Sequence, residues 1–428
     1  MSSPRAVAAQ VVLDVCKFGQ SLDNAYQQRA ENLTDRDRAL IKEISYGTIR
    51  HYFALQKLAN QLLKQPLKKK EADLNSILLS GLYQIFYTGQ APYAIVNETA
   101  GLCRTVGKKW ATSLINAVLR RSLREQNKLK EIFLSHSPDN YPTWLSSIVA
   151  SDWPTMYEQI LDAGNKKPPM WIRVNEAKIS PDDFTGLLEK ANLSFERSIL
   201  AGAIRLIEPQ NVDNIPGFSD GYCSIQDISA QLAGHAAPLS TSDRILDGCS
   251  APGGKLSHLL ERSSDTSEFH AVDVPARVTL IENNLQRLGF TATLHRGELG
   301  SFKLDNFGKL FTLALLDAPC SGSGVIRRHP DIKLLRKDFD QAHFSQRQLG
   351  LLEHIWQLIE RSGHVLYTTC SVLRTENEQV IDQFLQISPD AEEILLPESF
   401  GHSCSYGRQR LPGEDNGDGF YYCLLRKQ

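Results

Sequence analysis

The sequence predicts a multidomain protein with an all-α N-terminal domain, a small α+β connector and a Rossmann-like α/β C-terminal domain. Three observations predict this fold class. Apolar residues recur at helical spacing through the first 140 residues, a turn-rich stretch follows, and from about residue 240 β-rich runs alternate with helical segments. A chain of 428 residues is also longer than one hydrophobic core usually needs. We place the three domains at residues 1–145, 165–235 and 236–428.

Helical spacing and capping residues predict the first domain. In LNSILLSGLYQIF, apolar side chains from Leu74 to Phe86 recur three and four residues apart and form one stripe. Thr34 is the expected N-cap of the helix DRDRALIKEISYG, and Gly47 is a candidate for its end. SLINAVLRRSLRE reads as an amphipathic helix with arginines on its polar side.

Charge is unevenly distributed along the chain. The net charge is only −2, but residues 1–130 contain 20 lysines and arginines against 10 acidic residues, and the remainder contains 27 against 39. A basic first domain suggests that a polyanion docks there, and nucleic acid is the obvious candidate. The alternative is a set of scattered, solvated lysines.

Turns and β-rich runs divide the rest of the chain. GNKKPPM (164–170) has the composition of a linker, WIRVN of a strand and SPDDFTGLLEKAN of a capped helix. The runs RILDG, FHAVDV, LFTLALLDAP and GHVLYTTCS are each followed by a polar or helical segment, which predicts a mostly parallel, doubly wound sheet. GFYYCLLRK predicts a final strand, for which the antiparallel edge of the sheet is one position.

Composition argues against several other classes. No stretch approaches the roughly 18 consecutive apolar residues of a membrane span, and the first residues lack the apolar core of a secretory signal, so we expect a cytoplasmic protein without membrane partners. The eight cysteines include no C-x-x-C pair, so we expect neither a disulfide framework nor a metal site. Nothing in the sequence demands more than a monomer.

A glycine turn marks a candidate cofactor loop. RILDGCSAPGGKLSHLLE reads as strand, tight turn and helix, and Gly253 and Gly254 would let the backbone approach a ligand closely. Asp273 closes the next strand, where an acid can accept hydrogen bonds from ribose hydroxyls. The loop is neither G-x-G-x-x-G nor a P-loop, so S-adenosylmethionine, which has no phosphate, fits better than NAD or ATP. A purely structural glycine turn is the alternative.

Two cysteines follow two predicted strands, in DAPCSGSG (317–324) and YTTCS (367–371). Active sites of doubly wound sheets form at these strand ends, although each cysteine alone could be a buried packing residue. Methylation of carbon 5 of cytosine is one reaction that needs such a cysteine, because this carbon is too weakly nucleophilic to take a methyl group from a sulfonium. A thiolate that adds to carbon 6 makes carbon 5 enamine-like and reactive, which is covalent catalysis.

These motifs carry a family resemblance over nearly the whole chain. DGCSAPGGK, DAPCSGSG and YTTCS resemble the motifs of RNA cytosine-5 methyltransferases of the NOL1/NOP2/Sun type. DRALIKEISYGTIR and INAVLRR resemble the NusB-like helical domain that precedes the catalytic domain in bacterial members. VIRRHPDIK and GDGFYYCLLRK are similar to the Fmu/Sun branch of this family, which implies small-subunit (16S) ribosomal RNA as the partner.

The resemblance also implies roles for individual residues. Cys370 corresponds to the attacking nucleophile and Cys320 to the cysteine that helps release the product. Asp317 corresponds to a contact with the cofactor and the base's polar edge, and Lys255 could add positive charge near the ring. The implied cofactor-binding residues are Cys249, Ser250, Ala251, Pro252, Gly253, Gly254, Lys255, Asp273, Glu298 and Asp317.

Two positions depart from the family pattern. Glu298 stands where an aspartate usually holds the adenine, and Ser250 replaces an alanine. Arg327 and Arg328 follow the second motif on an expected loop, where phosphate contacts and a solvated charge run are both possible. Two other functions stay open: a non-catalytic RNA-binding ribosome assembly factor on a methyltransferase scaffold, and a methyltransferase acting on protein or a small molecule.

Overall fold

The computed structural model describes residues 3–31, 33–264, 266–303, 309–338 and 340–428. It contains two compact units. One comprises Met1–Lys167 and Ile326–Asp338, and the other comprises Pro168–Val325 and Phe339–Gln428.

The first unit is helical. Serine and threonine side chains at positions 3, 21 and 34 accept backbone N–H bonds and so cap three of its helices, including the one predicted after Thr34. Apolar side chains of the fourth to eighth helices form its larger core, and those of the first three form a second one. The helices are α1 Pro4–Phe18, α2 Leu22–Ala30, α3 Asp35–Arg50, α4 Tyr52–Leu62, α5 Ala72–Tyr87, α6 Pro92–Thr105, α7 Thr112–Arg124, α8 Gln126–Phe133, α9 Thr143–Asp152 and α10 Tyr157–Asn165.

Gly47 does not end its helix, so that expectation is wrong. Helix α3 continues through it to Arg50. The glycine is needed for packing instead, because a Cβ atom at this position would lie 1.9 Å from Cζ of Tyr83 on α5. A glycine inside a helix can therefore mark a close helix–helix approach rather than a C-terminus.

The second unit begins with a small antiparallel sheet. Strands β1 Met170–Val174, β2 Phe195–Arg197, β3 Ala203–Leu206 and β4 Cys223–Ile225 pair in the order β2-β3-β1-β4. Helix α11, Pro181–Lys190, is capped by Ser180 and shares a core with the sheet through Phe184 and Leu188. This part is α+β, as the sequence predicts.

A larger sheet follows, with nine strands in the described part of the chain. Its parallel strands are β5 Arg244–Gly248, β6 Glu268–Asp273, β7 Thr293–Arg296, β8 Phe311–Asp317 and β9 Ile359–Thr369, in the order β9-β8-β5-β6-β7. The other strands are β10 Ala391–Ile394, β11 His402–Ser403, β12 Arg408–Arg410 and β13 Phe420–Lys427. The helices of this part of the sequence are α12 Ile228–Ala236, α13 Gly254–Arg262, α14 Pro275–Leu288, α15 Ile332–Leu335, α16 Asp340–Trp356 and α17 Glu378–Ile387.

Both faces of the central strands of the larger sheet are buried. Along β8, Leu313 and Leu315 belong to one apolar core, whereas Ala314 and Leu316 belong to another. A strand covered on both faces needs a continuous apolar run, which explains the run LALL at residues 313–316. The sheet is therefore doubly wound, as predicted.

The last strand is antiparallel but does not lie at an edge, which corrects one expectation. Strand β13 pairs with β9 on one side and with β12 and β10 on the other. Its residues from Phe420 to Leu425 are buried, because their side chains alternate between the two apolar cores on the faces of the sheet.

Helix α15 belongs to a segment, residues 326–338, that folds with the helical unit. Within that unit the buried ammonium group of Lys333 donates to the carbonyl of Arg50 (3.0 Å) and to Asn165 Oδ1 (2.6 Å). The N–H of Leu22 donates to Asp331 Oδ2 (3.0 Å). Burial lowers the pKa of Lys333, and the segment is anchored by buried polar contacts.

Across the described ranges, none of the helices combines the length and apolar character needed to cross a bilayer. The same part of the chain contains no group of three or more His, Cys, Asp or Glu side chains placed to hold a metal ion.

Candidate functional site

Two neighbouring parallel strands bring the predicted cysteines together. Asp317, the last residue of β8, pairs in register with Thr368 near the end of β9, and a cysteine follows on each loop. The Sγ atoms of Cys320 and Cys370 lie 3.4 Å apart, and both side chains are partly exposed. The contact with Cys370, together with burial, raises the pKa of the Cys320 thiol well above its ordinary value.

A lysine–aspartate pair lies at the same strand ends. Lys255 Nζ, near the start of α13, lies 2.6 Å from Asp317 Oδ2 and 4.8 Å from the centre of the Phe420 ring. Thr368 donates to the other oxygen of Asp317 at 3.2 Å. The carboxylate is thus held in one orientation next to a positive charge, three residues before Cys320.

The loop between β5 and α13 has the backbone of a tight ligand cradle. Cys249 and Gly253 both have positive φ angles, of 60° and 90°, and a Cβ atom on Gly253 would lie 3.3 Å from Ile281 Cγ2. A cis peptide bond joins Ala251 to Pro252. Burial raises the pKa of Cys249 to about 12, which disfavours the thiolate form of this side chain.

Asp273 lies directly beside this loop. Its Oδ2 accepts the N–H of Ala251 at 2.7 Å, and its Oδ1 accepts the N–H of Val274 at 2.8 Å. Each carboxylate oxygen can accept a further hydrogen bond. The side chain is therefore fixed in place and keeps the capacity to bind ribose hydroxyls.

Two more acidic residues lie near the carboxyl ends of the parallel strands β5 and β7. Asp247 is buried at the end of β5, where Ser250 Oγ donates to its Oδ2 at 2.7 Å, while its Oδ1 has no hydrogen-bond partner in the described protein. Burial raises the pKa of Asp247 to about 7. Glu298 is exposed and follows Gly297, whose N–H donates to the carbonyl of Asp273 at 2.9 Å. Three features fit a cofactor that carries a nucleoside and a positive charge. They are the unpartnered Oδ1 of Asp247, the carboxylate of Asp273 and the close backbone approach that Gly253 allows.

Arg327 and Arg328 do not belong to the unit that contains these residues. Both lie in the segment 326–338 of the helical unit. Arg327 is 4% exposed and its carbonyl accepts a hydrogen bond from Arg50 Nη2 at 2.9 Å. Arg328 is partly exposed.

Sequence reasoning missed two acidic residues at this site. Asp247 stands two residues before Cys249, and its position at a strand end could have indicated it. Glu376 is wholly buried and accepts hydrogen bonds from the residues that follow each cysteine, Ser321 and Ser371. No spacing rule indicates Glu376, because its role depends on how two separate loops meet.

Three family models together match most of the chain. Residues 236–426 match the model described as 16S rRNA methyltransferase RsmB/F, and residues 2–124 match the NusB family. Residues 141–213 match the ferredoxin-like domain of RsmF/B-like methyltransferases. The multidomain fold class predicted from the sequence is thereby confirmed.

Two curated relatives are similar over nearly the full chain. The "Probable ribosomal RNA small subunit methyltransferase B" of Coxiella burnetii is 40% identical over 399 residues, which cover 92% of this chain and 93% of that protein. The "Ribosomal RNA small subunit methyltransferase B" of Klebsiella pneumoniae is 39% identical over 428 residues, covering 99% and 98%. The crystal structure of PH0851 superposes with a TM-score of 0.81 at 20% identity and covers 100% of this chain and 99% of that one, which supports the fold alone.

Proposed function

Since this chain belongs to the family of RsmB/F-type 16S rRNA methyltransferases, we propose that it methylates carbon 5 of a cytosine in small-subunit ribosomal RNA. One observation carries the choice of atom: two strand-end thiols lie 3.4 Å apart beside an Asp–Lys pair. Methylation of an already nucleophilic oxygen or nitrogen needs no such pair. Carbon 5 needs a nucleophile to activate the ring.

In the proposed reaction, the Cys370 thiolate adds to carbon 6 of the cytosine and forms a carbon–sulfur bond. Electron density then moves to carbon 5, which bonds to the methyl group as the bond between that group and the sulfonium sulfur breaks. Transfer of the carbon 5 proton to a base, a side chain or a water molecule, restores the double bond between carbons 5 and 6, so the carbon–sulfur bond breaks and Cys370 leaves as a thiolate. Cys320, whose pKa is raised by Cys370 and by burial, stays protonated and assists this release.

The cofactor is S-adenosylmethionine, which supplies an electrophilic methyl group on a positively charged sulfur. We assign the backbone of Cys249–Gly254 to its methionine and ribose end, and Asp273 to the ribose hydroxyls. Glu298 would accept from the adenine amine. The unpartnered Oδ1 of Asp247 supports a cationic group nearby.

Lys255 and Asp317 would act on the base. Asp317 is held by Thr368 and Lys255, so its carboxylate can face the polar edge of cytosine without reorganising. Lys255 would stabilise negative charge that develops on the ring after addition of the thiolate. The Lys255–Asp317 ion pair would thus both orient the base and stabilise the charge on its ring.

The basic helical unit would hold the RNA backbone, and the target base would have to be unstacked so that both faces of carbons 5 and 6 are reachable. Arg328 remains a candidate phosphate contact. Arg327 is 4% exposed, so a phosphate would reach its guanidinium only after a local rearrangement.

The test is methyl transfer from tritiated S-adenosylmethionine to small-subunit rRNA that lacks this modification, followed by nucleoside mass spectrometry. We expect the label in 5-methylcytidine. Label in another nucleoside would overturn the choice of carbon 5. No transfer to naked RNA or to immature subunits would favour the alternative, a non-catalytic assembly factor on a methyltransferase scaffold.

A further inference from the structure

The loops that carry Cys320 and Cys370 are joined by one buried side chain. Glu376, which follows β9 on a short turn, is 0% exposed. Its Oε2 accepts the backbone N–H of Ser321 at 2.7 Å, and its Oε1 accepts the hydroxyl of Ser371 at 2.9 Å. These two serines directly follow the two cysteines, so a single carboxylate bonds to both loops one residue beyond each thiol.

A third donor extends this link to the other side of Cys320. Gln348 Nε2, on α16, donates to Glu376 Oε2 at 3.1 Å and to the carbonyl of Pro319 at 2.9 Å. The residues before and after Cys320 are thus both tied to Glu376. Removing the carboxylate would leave three inward-facing donors to find other partners.

Hydroxyl contacts between the loops depend on the same arrangement. Ser371 Oγ lies 2.9 Å from Ser323 Oγ and accepts the N–H of Leu373 at 3.1 Å. Because Ser371 also donates to Glu376, the carboxylate sets the direction of this hydroxyl. The network is wholly buried, where hydrogen bonds of a charged acceptor are strong.

The buried carboxyl group of Glu376, whose own pKa is raised by burial, also bears on the pKa of the thiols. Glu376 is among the groups that raise the pKa of Cys320, after the Cys370 contact and burial. The carboxylate would therefore help to keep Cys320 protonated while Cys370 attacks. It reaches neither the cofactor cradle nor the surface, so it would act only through its neighbours.

We propose that Glu376 is a positioning residue that holds the thiols of Cys320 and Cys370 at their working separation by tying the two loops together. This inference rests on the proposed function, which gives the two thiols their tasks. It adds a residue outside the three motifs to that mechanism. Misplacement of reacting groups by about 1 Å can cost about a hundredfold in rate.

The separation of the thiols can be measured without RNA. Diamide takes up two electrons and two protons from a pair of nearby thiols, which breaks both S–H bonds and forms one S–S bond. The rate of the Cys320–Cys370 disulfide, followed by peptide mass spectrometry in the full-length protein, reports how often the two sulfurs meet. We expect Glu376→Gln to slow this closure at least about tenfold.

Glu378 provides a matched control. It is also buried, lies two residues further along, and bonds to the N–H of Ser405 and to Arg374 (2.6 Å), neither of which is adjacent to Cys320 or Cys370. Glu378→Gln should leave closure within about twofold of wild type. Ser371→Ala, which removes one of the three donors, should give an intermediate rate and serves if Glu376→Gln does not fold.

Equal closure rates in wild type, Glu376→Gln and Ser371→Ala would overturn the proposal, and so would equal slowing by Glu378→Gln. Absence of disulfide closure in the wild type would contradict the thiol contact on which the proposal rests.

In methyl transfer assays, Glu376→Gln should lower kcat at least about tenfold with little change in KM. An unchanged kcat would also overturn the proposal. Slower closure in a protein whose wild type methylates no cytosine would instead refute the proposed function alone.

Discussion

A buried ion pair connects the small antiparallel sheet to the cofactor loop, and breaking it gives a sharp prediction. Arg173 on β1 donates two hydrogen bonds to the carboxylate of Glu261 on α13, at 2.9 and 2.7 Å. The same guanidinium donates to the carbonyl of Gly254 (2.7 Å) and to Ser257 Oγ (3.0 Å) at the start of that helix. The side chains of the pair are only 2% and 3% exposed.

Glu261→Ala should lower the free energy of unfolding by about 3–5 kcal/mol, because it leaves a buried guanidinium without its counter-charge. The desolvation cost is already visible in the wild type, since burial raises the pKa of Glu261 even beside Arg173. The Arg173 guanidinium, having lost its counter-charge, should also attract the Gly254 carbonyl more strongly and shift the start of α13. We therefore expect the affinity for S-adenosylhomocysteine to fall as well.

Denaturant unfolding and calorimetric binding measure the two effects. The control is Glu268→Ala, which removes a carboxylate paired with Arg244 but 68% exposed, and should change stability by less than about 1 kcal/mol. The double variant Arg173→Met/Glu261→Leu should recover most of the lost stability, since an apolar pair needs no counter-charge. A loss below about 1 kcal/mol in Glu261→Ala would refute the reasoning.

Two further predictions concern stability. The pKa of Asp247 is raised to about 7, so the folded protein binds this proton more readily than the unfolded chain does. The stability of the wild type relative to Asp247→Asn should therefore rise as the pH falls from about 7 to about 4, and this gain should be lost as the pH rises through 7. A difference in thermal midpoints that stays constant across this range would contradict the prediction. Gly47→Ala should destabilise the helical unit by about 1–3 kcal/mol through the clash with Tyr83. Gly101→Ala, at a helix position with open space, should be neutral or slightly stabilising, and equal effects of the two changes in thermal unfolding would argue against the packing explanation.

Much of the fold followed from local patterns that tertiary packing did not override. The apolar run of β8 and the cysteines after β8 and β9 could be located because parallel strands end at one edge of a sheet. Asp273 could be placed for the same reason. In each case the sequence signal and the structural cause span only a few residues.

The failures all involve contacts between distant segments. Gly47 was expected to end a helix, but the space it leaves is filled by Tyr83, which no local pattern reveals. The final strand could not be placed inside the sheet, because the strands that cover it are only two to four residues long. Arg327 lies in a turn, as expected, but its side chain is buried, because the turn belongs to a segment that folds with the helical unit. Glu376 depends on two loops meeting.

The central claim is that Cys370 bonds to the RNA and Cys320 assists its release, and the covalent complex tests this most directly. Cys320→Ala, Cys370→Ala and wild type would each be incubated with S-adenosylmethionine and unmodified small-subunit rRNA, then separated on a denaturing gel. Cys320→Ala should accumulate a slowly migrating protein–RNA adduct, and Cys370→Ala should form none and transfer no methyl group. An adduct in Cys370→Ala but not in Cys320→Ala, or methyl transfer that survives the loss of Cys370, would contradict the account.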